Sequence, residues 1–313
     1  MKLRFREENG QECFSVLVVH GFADEKNACL RLGALLDEAE PDLLLFLGDT
    51  VRAPGTDREL RDALDRLTAP ASERGIPFAF CFGDRDLRSA GIGSGEMNRI
   101  WREYPLCVSG SGENGVDVLT VSDAAGDTAA LRLWCLDSHE EIGGYEAVCS
   151  SPTKARLAKP LYTKYYMDGV RFSQTVEYDR REEVFAVQEG TPAVPGVMFF
   201  HTPCPEFSIA VMNAVQTMLR GNVEGIVRCS TVNGGIFSAA AERHNVKAIV
   251  CGHDGGDCYA ARYCGLELVK TPAVGSTSGD GMLLTLMKRD SALEISAKVI
   301  TSDGRGEHCL LPR

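Results

Sequence analysis

Short apolar runs alternating with helix-periodic stretches dominate the first third of the chain. Ser15-Val-Leu-Val-Val19, Asp42-Leu-Leu-Leu-Phe-Leu47 and Ile76-Pro-Phe-Ala-Phe-Cys-Phe82 are apolar at consecutive positions. That pattern reads as buried strands. Between the first two runs, Glu25 to Glu38 carries Ala28, Leu30, Leu32, Leu35 and Leu36 at roughly helical spacing. Between the second and third, Thr56-Asp-Arg-Glu59 forms a capping box ahead of Leu60, Leu64 and Leu67 on one helical face. Strand, helix, strand, helix, strand predicts a parallel sheet with crossover helices.

The middle of the chain changes character. Asp117 to Val121 and Ala129 to Leu136 read as an antiparallel hairpin around the turn Asp123-Ala-Ala-Gly-Asp127. Residues 145 to 170 have weak periodicity and read as a long loop, and Ser173 as the cap of a helix running to about Val187. Val197-Met-Phe-Phe200 is a further strand, 211 to 232 is ambiguous, and Asn233 to His244 is helical. Val246 to Cys251 is a strand. Met282 to Met287 and Leu293 to Ile300 form a second hairpin. There is no repeat, low-complexity stretch or linker, so one domain over 1–313 is expected.

Composition narrows the function. The chain has 313 residues, 44% of them hydrophobic, and a net charge of −11. An acidic surface argues against a nucleic-acid or anionic-membrane partner. It leaves phosphorylated substrates open, because a metal ion or an Arg reverses the local field. The first residues are charged and lack the apolar core of a signal peptide, and no run approaches the ~18 to 20 apolar residues of a membrane span. The 12 Cys read mainly as reduced, buried thiols of a cytoplasmic protein. Cys251, Cys258 and Cys264 lack the CxxC spacing of a zinc site.

Candidate chemistry gathers at the C-terminal ends of the strands, where loops of open α/β sheets converge on ligands. His20 follows the first strand, Asp49 the second and Asp84 the third. His201 and His253 follow the strands at 197–200 and 246–251. The chain has only six His, and three stand at such ends. Three His and two Asp recurring at equivalent places predict one shared polar site.

The ordered segments Leu17-Val-Val-His-Gly-Phe22, Phe46-Leu-Gly-Asp49, Phe82-Gly-Asp-Arg-Asp86, Phe199-Phe-His-Thr-Pro203 and Cys251-Gly-His-Asp-Gly-Gly-Asp257 resemble the metal-binding loops of calcineurin-like metallophosphoesterases. Leu133-Trp-Cys-Leu-Asp-Ser138, Phe200-His-Thr-Pro-Cys-Pro-Glu206 and Val232-Asn-Gly-Gly-Ile-Phe237 resemble the purple-acid-phosphatase-like branch in particular. The resemblance covers nearly the whole chain. It implies an α/β fold, a sandwich of two mixed β-sheets flanked by helices, acting on phosphate esters with two metal ions.

Carried over position by position, the resemblance implies a degenerate centre. The family's bridging Asp matches Asp49. The Asp-x-His pair and second Gly-His-x-His histidine of its first metal fall on His20, Phe22 and Gly255, and Phe and Gly cannot ligate. The second metal's ligands fall on Asp49, Asp84, His201 and His253, all able to bind one Mn, Fe(II) or Zn ion. The family's Gly-Asn-His histidine falls on Arg85. An Arg does not act as a general acid at pH 7, but it can hold a phosphate bidentately or pair with Asp86. His20 is expected to contact the phosphate with Arg85, and Asp254 and Asp257 are weaker candidate carboxylates. Two readings remain open: a mononuclear phosphoester hydrolase, or a catalytically inactive binding protein holding one ion or none.

Overall fold

The computed structural model describes residues 2–22, 27–52, 54–87, 91–138, 169–189, 193–230, 233–253, 255–277, 279–289, 292–303 and 308–311. The N-terminal part runs β1 (Leu3–Arg4), β2 (Arg6–Glu8), β3 (Gln11–Val19), α1 (Ala28–Ala39), β4 (Leu43–Leu47), α2 (Asp57–Arg74), β5 (Phe78–Cys81), α3 (Asp84–Leu87) and α4 (Ser94–Trp101). The hairpin β6 (Val116–Ser122) and β7 (Ala129–Leu136) precedes α5 (Phe172–Glu189), β8 (Gly196–Phe200), α6 (Pro205–Met212) and β9 (Arg220–Asn222). Then come α7 (Ile236–Arg243), β10 (Val246–Cys251), β11 (Cys258–Tyr263), β12 (Leu266–Lys270), β13 (Gly281–Arg289), β14 (Ala292–Ile300) and β15 (His308–Leu311).

The strands form two mixed sheets. One has the order β1-β6-β7-β8-β10-β12-β11-β9, the other β15-β14-β13-β3-β4-β5, with β2 beside β3. As the sequence pattern predicts, β3, β4 and β5 are parallel, and β6–β7 and β13–β14 are antiparallel hairpins.

Burial on both faces explains the unbroken apolar runs. Val16, Val18 and Leu45 point between the sheets, where they meet Leu131, Leu133, Phe199 and Val250 of the other sheet. Leu17, Val19, Leu44 and Phe46 point outward under Leu32, Leu35 and Leu36 of α1 and Leu60 and Leu64 of α2. On the far side, Trp134, Met198 and Ile249 pack under Tyr178, Phe207 and Phe237 of α5, α6 and α7. The result is a helix–sheet–sheet–helix sandwich.

Local signals act as read at α2, where the Thr56 hydroxyl accepts from Glu59 N–H at 3.2 Å and Glu59 reaches back to Gly55 N–H at 2.7 Å. The α5 start differs: the helix begins at Phe172, before Ser173, and the Gln174 side chain accepts from Arg171 N–H at 2.7 Å. The ambiguous stretch 211–232 holds the end of α6 and strand β9. The β11–β12 hairpin is an addition to the sequence reading. Its turn is made by Cys264 and Gly265, both with positive φ (46° and 84°). Of the loop expected over 145–170, residues 145–168 lie outside the described residues.

Candidate metal centre

Five strand ends supply the site. The turn after β4 brings Gly48 and Asp49 into the left-handed region, at φ of 81° and 51°, and His253 after β10 has φ 83°. For a side-chain-bearing residue that conformation costs on the order of 1 kcal/mol and persists where surrounding packing imposes it. The packing here is tight. A Cβ on Gly48 would sit 2.7 Å from both Gly83 N and the His201 ring, and a Cβ on Gly83 would sit 2.6 Å from Asp49 N. Glycine at both turns lets the β4 and β5 ends close on His201.

His201 is fully buried and its orientation is fixed by the main chain. Its Nδ1 lies 2.7 Å from the Leu47 carbonyl oxygen, which only accepts, so Nδ1 carries the proton and the Nε2 lone pair faces the opposite way. That Nε2 lies 3.2 Å from Asp49 Oδ2, off the line of a hydrogen bond, and 3.9 Å from Asp84 Oδ1. Ligand atoms of Asp49, Asp84 and His201 all fall within 4.8 Å of one another, and all three residues are buried. Two carboxylates and an imidazole nitrogen converge here, a donor set able to hold a divalent cation. Carboxylate oxygens with an imidazole suit Mn, Fe(II) or Zn. His253 stands beside this group, its Nε2 3.7 Å from Asp84 Oδ1 and its ring 5.4 Å from that of His201.

Asp49 is the electrostatic hub. Burial opposes its ionisation, but the interactions with His201 and then Arg85 more than offset it and hold the carboxyl below its usual range. Arg85 turns to Asp49, its Nε 3.4 Å from Oδ2 and its backbone N–H donating to Oδ1 at 3.2 Å. Asp86 spends its carboxylate on the main chain. It accepts from Thr50 N–H and Val51 N–H at 2.8 Å each and from Gly83 N–H at 2.7 Å, lashing the β4 turn to the β5 turn. Burial, and then the charge of Asp49, raises the Asp86 pKa. The sequence offered Asp86 only as a partner for Arg85; its spacing of two from Asp84 is the signal that it belongs to the site.

The positions that the resemblance assigns to a first metal, His20, Phe22 and Gly255, offer few donor atoms in space. Phe22 is buried at 4% exposure in the aromatic cluster under α1 and α2, its ring 5.9 Å from Phe46. Gly255 is open: a Cβ there would meet only the Ala273 methyl carbon, at 3.9 Å. His20 is fully buried, its Nε2 3.1 Å from the Thr271 carbonyl, which leaves Nδ1 an acceptor with no hydrogen-bond partner. Burial, helped by the nearby charges of His201 and Lys270, pushes its pKa well down, so the ring is neutral. His20 is therefore an acceptor and not an anion-binding cation. The Asp257 carboxylate accepts from Glu224 N–H at 2.6 Å and acts as a loop tie. Asp254 lies outside the described residues.

Solved structures with the same layered fold include a dimetal phosphatase from Danio rerio (13% identity, 95% of this chain and 98% of that one, TM-score 0.57). A purple acid phosphatase from yellow lupin seeds matches with 10% identity over 95% of this chain and 53% of that one, at a TM-score of 0.52. The fold is that of the calcineurin-like metallophosphoesterases. No family model matches the chain. Among curated relatives, this metallophosphoesterase-fold chain is 28% identical over 266 residues to "Probable inactive purple acid phosphatase 29" of Arabidopsis thaliana, 77% of this chain and 61% of the relative. It spans about three fifths of the length of the curated relatives it matches.

Proposed function

We propose that the chain is a divergent metallophosphoesterase that binds one divalent ion at Asp49, Asp84, His201 and His253 and hydrolyses phosphate esters. The observation that carries this reading is the His201 Nε2 lone pair, turned by the Leu47 carbonyl toward Asp49 Oδ2 at 3.2 Å and Asp84 Oδ1 at 3.9 Å. When bound, an ion in such a site polarises a phosphoryl oxygen and lowers the pKa of a bound water. Asp49 and Asp84 supply the negative charge that selects the cation. Arg85, seated on Asp49, presents a permanently charged guanidinium for bidentate contact with phosphate, and it has no proton to give a leaving group near pH 7. A substrate with a good leaving group suits this set, because the family's proton donor is replaced by Arg85.

A second reading, a binding protein without turnover, is favoured by Phe22 in the core, by the bare Gly255 and by a relative whose name calls it inactive. In either case the partner is a phosphorylated molecule. The described cysteines are all free thiols, which supports a reducing, cytoplasmic setting. Among the described residues no helix is long and apolar enough to cross a membrane.

Elemental mass spectrometry after loading with Mn, Fe(II) or Zn separates the readings. The expected result is one ion per chain, lost in Asp49→Asn together with hydrolysis of p-nitrophenyl phosphate. Absence of any ion under all three loadings leaves the second reading.

A further inference from the structure

The two carboxylates of the candidate centre stand beyond the ladder of the sheet that carries them. Pairing of β4 with β5 ends at Leu47 and Cys81, and Asp49 and Asp84 follow in the turns beyond. Like charges held this close repel, the more so because both residues are buried. Strand pairing does not oppose that repulsion. The Arg85 N–H reaches Asp49 Oδ1 at 3.2 Å, but that contact is made with a candidate ligand oxygen itself.

Asp86 joins the two turns without using a ligand atom. Its Oδ1 accepts from Thr50 N–H and Val51 N–H at 2.8 Å each, and its Oδ2 accepts from Gly83 N–H at 2.7 Å. One oxygen thus grips the chain just after Asp49, and the other grips it just before Asp84. Asp86 is buried, where charge-assisted bonds to main-chain N–H groups are strong. It also shares the single helical turn α3 (Asp84–Leu87) with Asp84. Anchoring Asp86 on Thr50 and Val51 therefore sets Asp84 against Asp49. The ligand atoms that converge are those of Asp49, Asp84 and His201; both Asp86 oxygens are occupied by N–H donors.

We propose that Asp86 is the positioning residue of the candidate metal centre: by clamping Thr50 and Val51 to Gly83 it presets the separation of Asp49 and Asp84, and cation affinity depends on that preset separation. The proposal rests on the metallophosphoesterase reading for the ion, while the clamp is a property of the metal-free fold. Asp86→Asn breaks the clamp at nearly constant shape. An amide has one acceptor oxygen, so it satisfies the Thr50 and Val51 side or the Gly83 side and turns an N–H donor toward the other. Asp280 provides a matched control. It is also buried and also ties two backbone N–H groups, those of Gly275 and Ser302 at 2.7 and 2.6 Å, but it holds neither ligand-bearing turn.

The test has two arms on EDTA-stripped protein. Calorimetric titration with Mn and Zn reads affinity in wild type, Asp86→Asn and Asp280→Asn, each with its urea midpoint. Asp86→Asn is expected to weaken binding about tenfold to a hundredfold, as loss of a partner that orients ligands does. Asp280→Asn is expected to lose stability and keep the wild-type affinity. Amide hydrogen exchange by NMR reads the clamp without metal: Thr50, Val51 and Gly83 exchange slowly in stripped wild type, and Asp86→Asn speeds at least one side about tenfold or more. Equal affinity in wild type and Asp86→Asn, or equal weakening by the two variants, overturns the proposal. So do fast amides in stripped wild type that only added metal slows, because the ion and not Asp86 then assembles the turns; this outcome needs no variant to fold. A wild type that takes up neither ion overturns the metal reading and the positioning role with it, while slow amides in the same sample show that the clamp itself is intact, so the two failures are told apart.

Discussion

Asp49→Asn gives the sharpest test of the reasoning, because it predicts opposite effects with and without metal. In the metal-free protein the wild-type carboxylate faces the His201 lone pair at 3.2 Å and Asp84 nearby. An amide at position 49 turns an N–H toward Nε2 and makes a hydrogen bond where two acceptors met, while the lost ion pair with the half-exposed Arg85 is worth about 0–1 kcal/mol. The metal-free variant is therefore expected to be at least as stable as wild type. Metal reverses the order. An ion at one hundred times its dissociation constant stabilises the native state by about 2.7 kcal/mol. With an unfolding entropy of about 2.1 cal/mol/K per residue over 313 residues, that is a rise of about 4 °C in Tm. Thermal unfolding after EDTA treatment, with Mn, Fe(II) or Zn added back, measures both arms. The reasoning fails if Asp49→Asn shifts with metal as far as wild type, or if wild type shifts with none of the three ions.

Phe22→His combined with Gly255→His restores the missing ligand types but is expected to recruit no second ion and to cost about 3 kcal/mol in urea unfolding, because residue 22 is built into the aromatic core; a second ion with stability retained would count against this placement of Phe22. Burial first, and then Asp117, push the Asp137 carboxyl up to about 7 against the opposing Phe82 N–H bond. A carboxyl raised in the fold contributes stability that is fully present below about pH 4 and lost as pH rises through about 7. Asp137→Asn, which imitates the neutral form, should therefore gain on wild type by roughly 2 kcal/mol between pH 4 and pH 8, within a bound of about 4 kcal/mol set by the full displacement. Urea midpoints at the two pH values that move in parallel for both proteins would refute this.

How much of the molecule was legible in its sequence depends on what each residue does. Strands β3, β4, β5, β8 and β10 were readable because both of their faces are buried, which forces unbroken apolar runs. The β11–β12 hairpin was not, because its strand Cys258-Tyr-Ala-Ala-Arg-Tyr263 carries little β-branched signal and its turn depends on Cys264 adopting a left-handed conformation that Gly265 alone announces. Asp49, Asp84 and His201 were legible as members of one polar site from their positions at strand ends, and the structure brings those three together. Three further properties were not legible. The His201 tautomer depends on a carbonyl 154 positions away in the chain. Asp86 acts through three backbone N–H groups, which leave no trace in residue type. The neutrality of His20 follows from burial.

The same contrast separates the residues that meet at the candidate site from Phe22 and Gly255, which do not. Asp49, Asp84 and His201 are tied into the fold by constraints that operate with or without a metal: Gly48 and Gly83 must stay small for the turns to close, Asp86 holds both turns, and the Leu47 carbonyl holds the imidazole. Phe22 and Gly255 answer to other constraints. A buried Phe contributes apolar contacts that a ligating His would forfeit, and a side chain at Gly255 would meet only the Ala273 methyl carbon. Residues that are also structural joints are expected to keep their geometry with or without a bound ion. The donor atoms of Asp49, Asp84 and His201 stay within 4.8 Å of one another because those joints hold them, which is why metal content and hydrolysis have to be measured on the same variants.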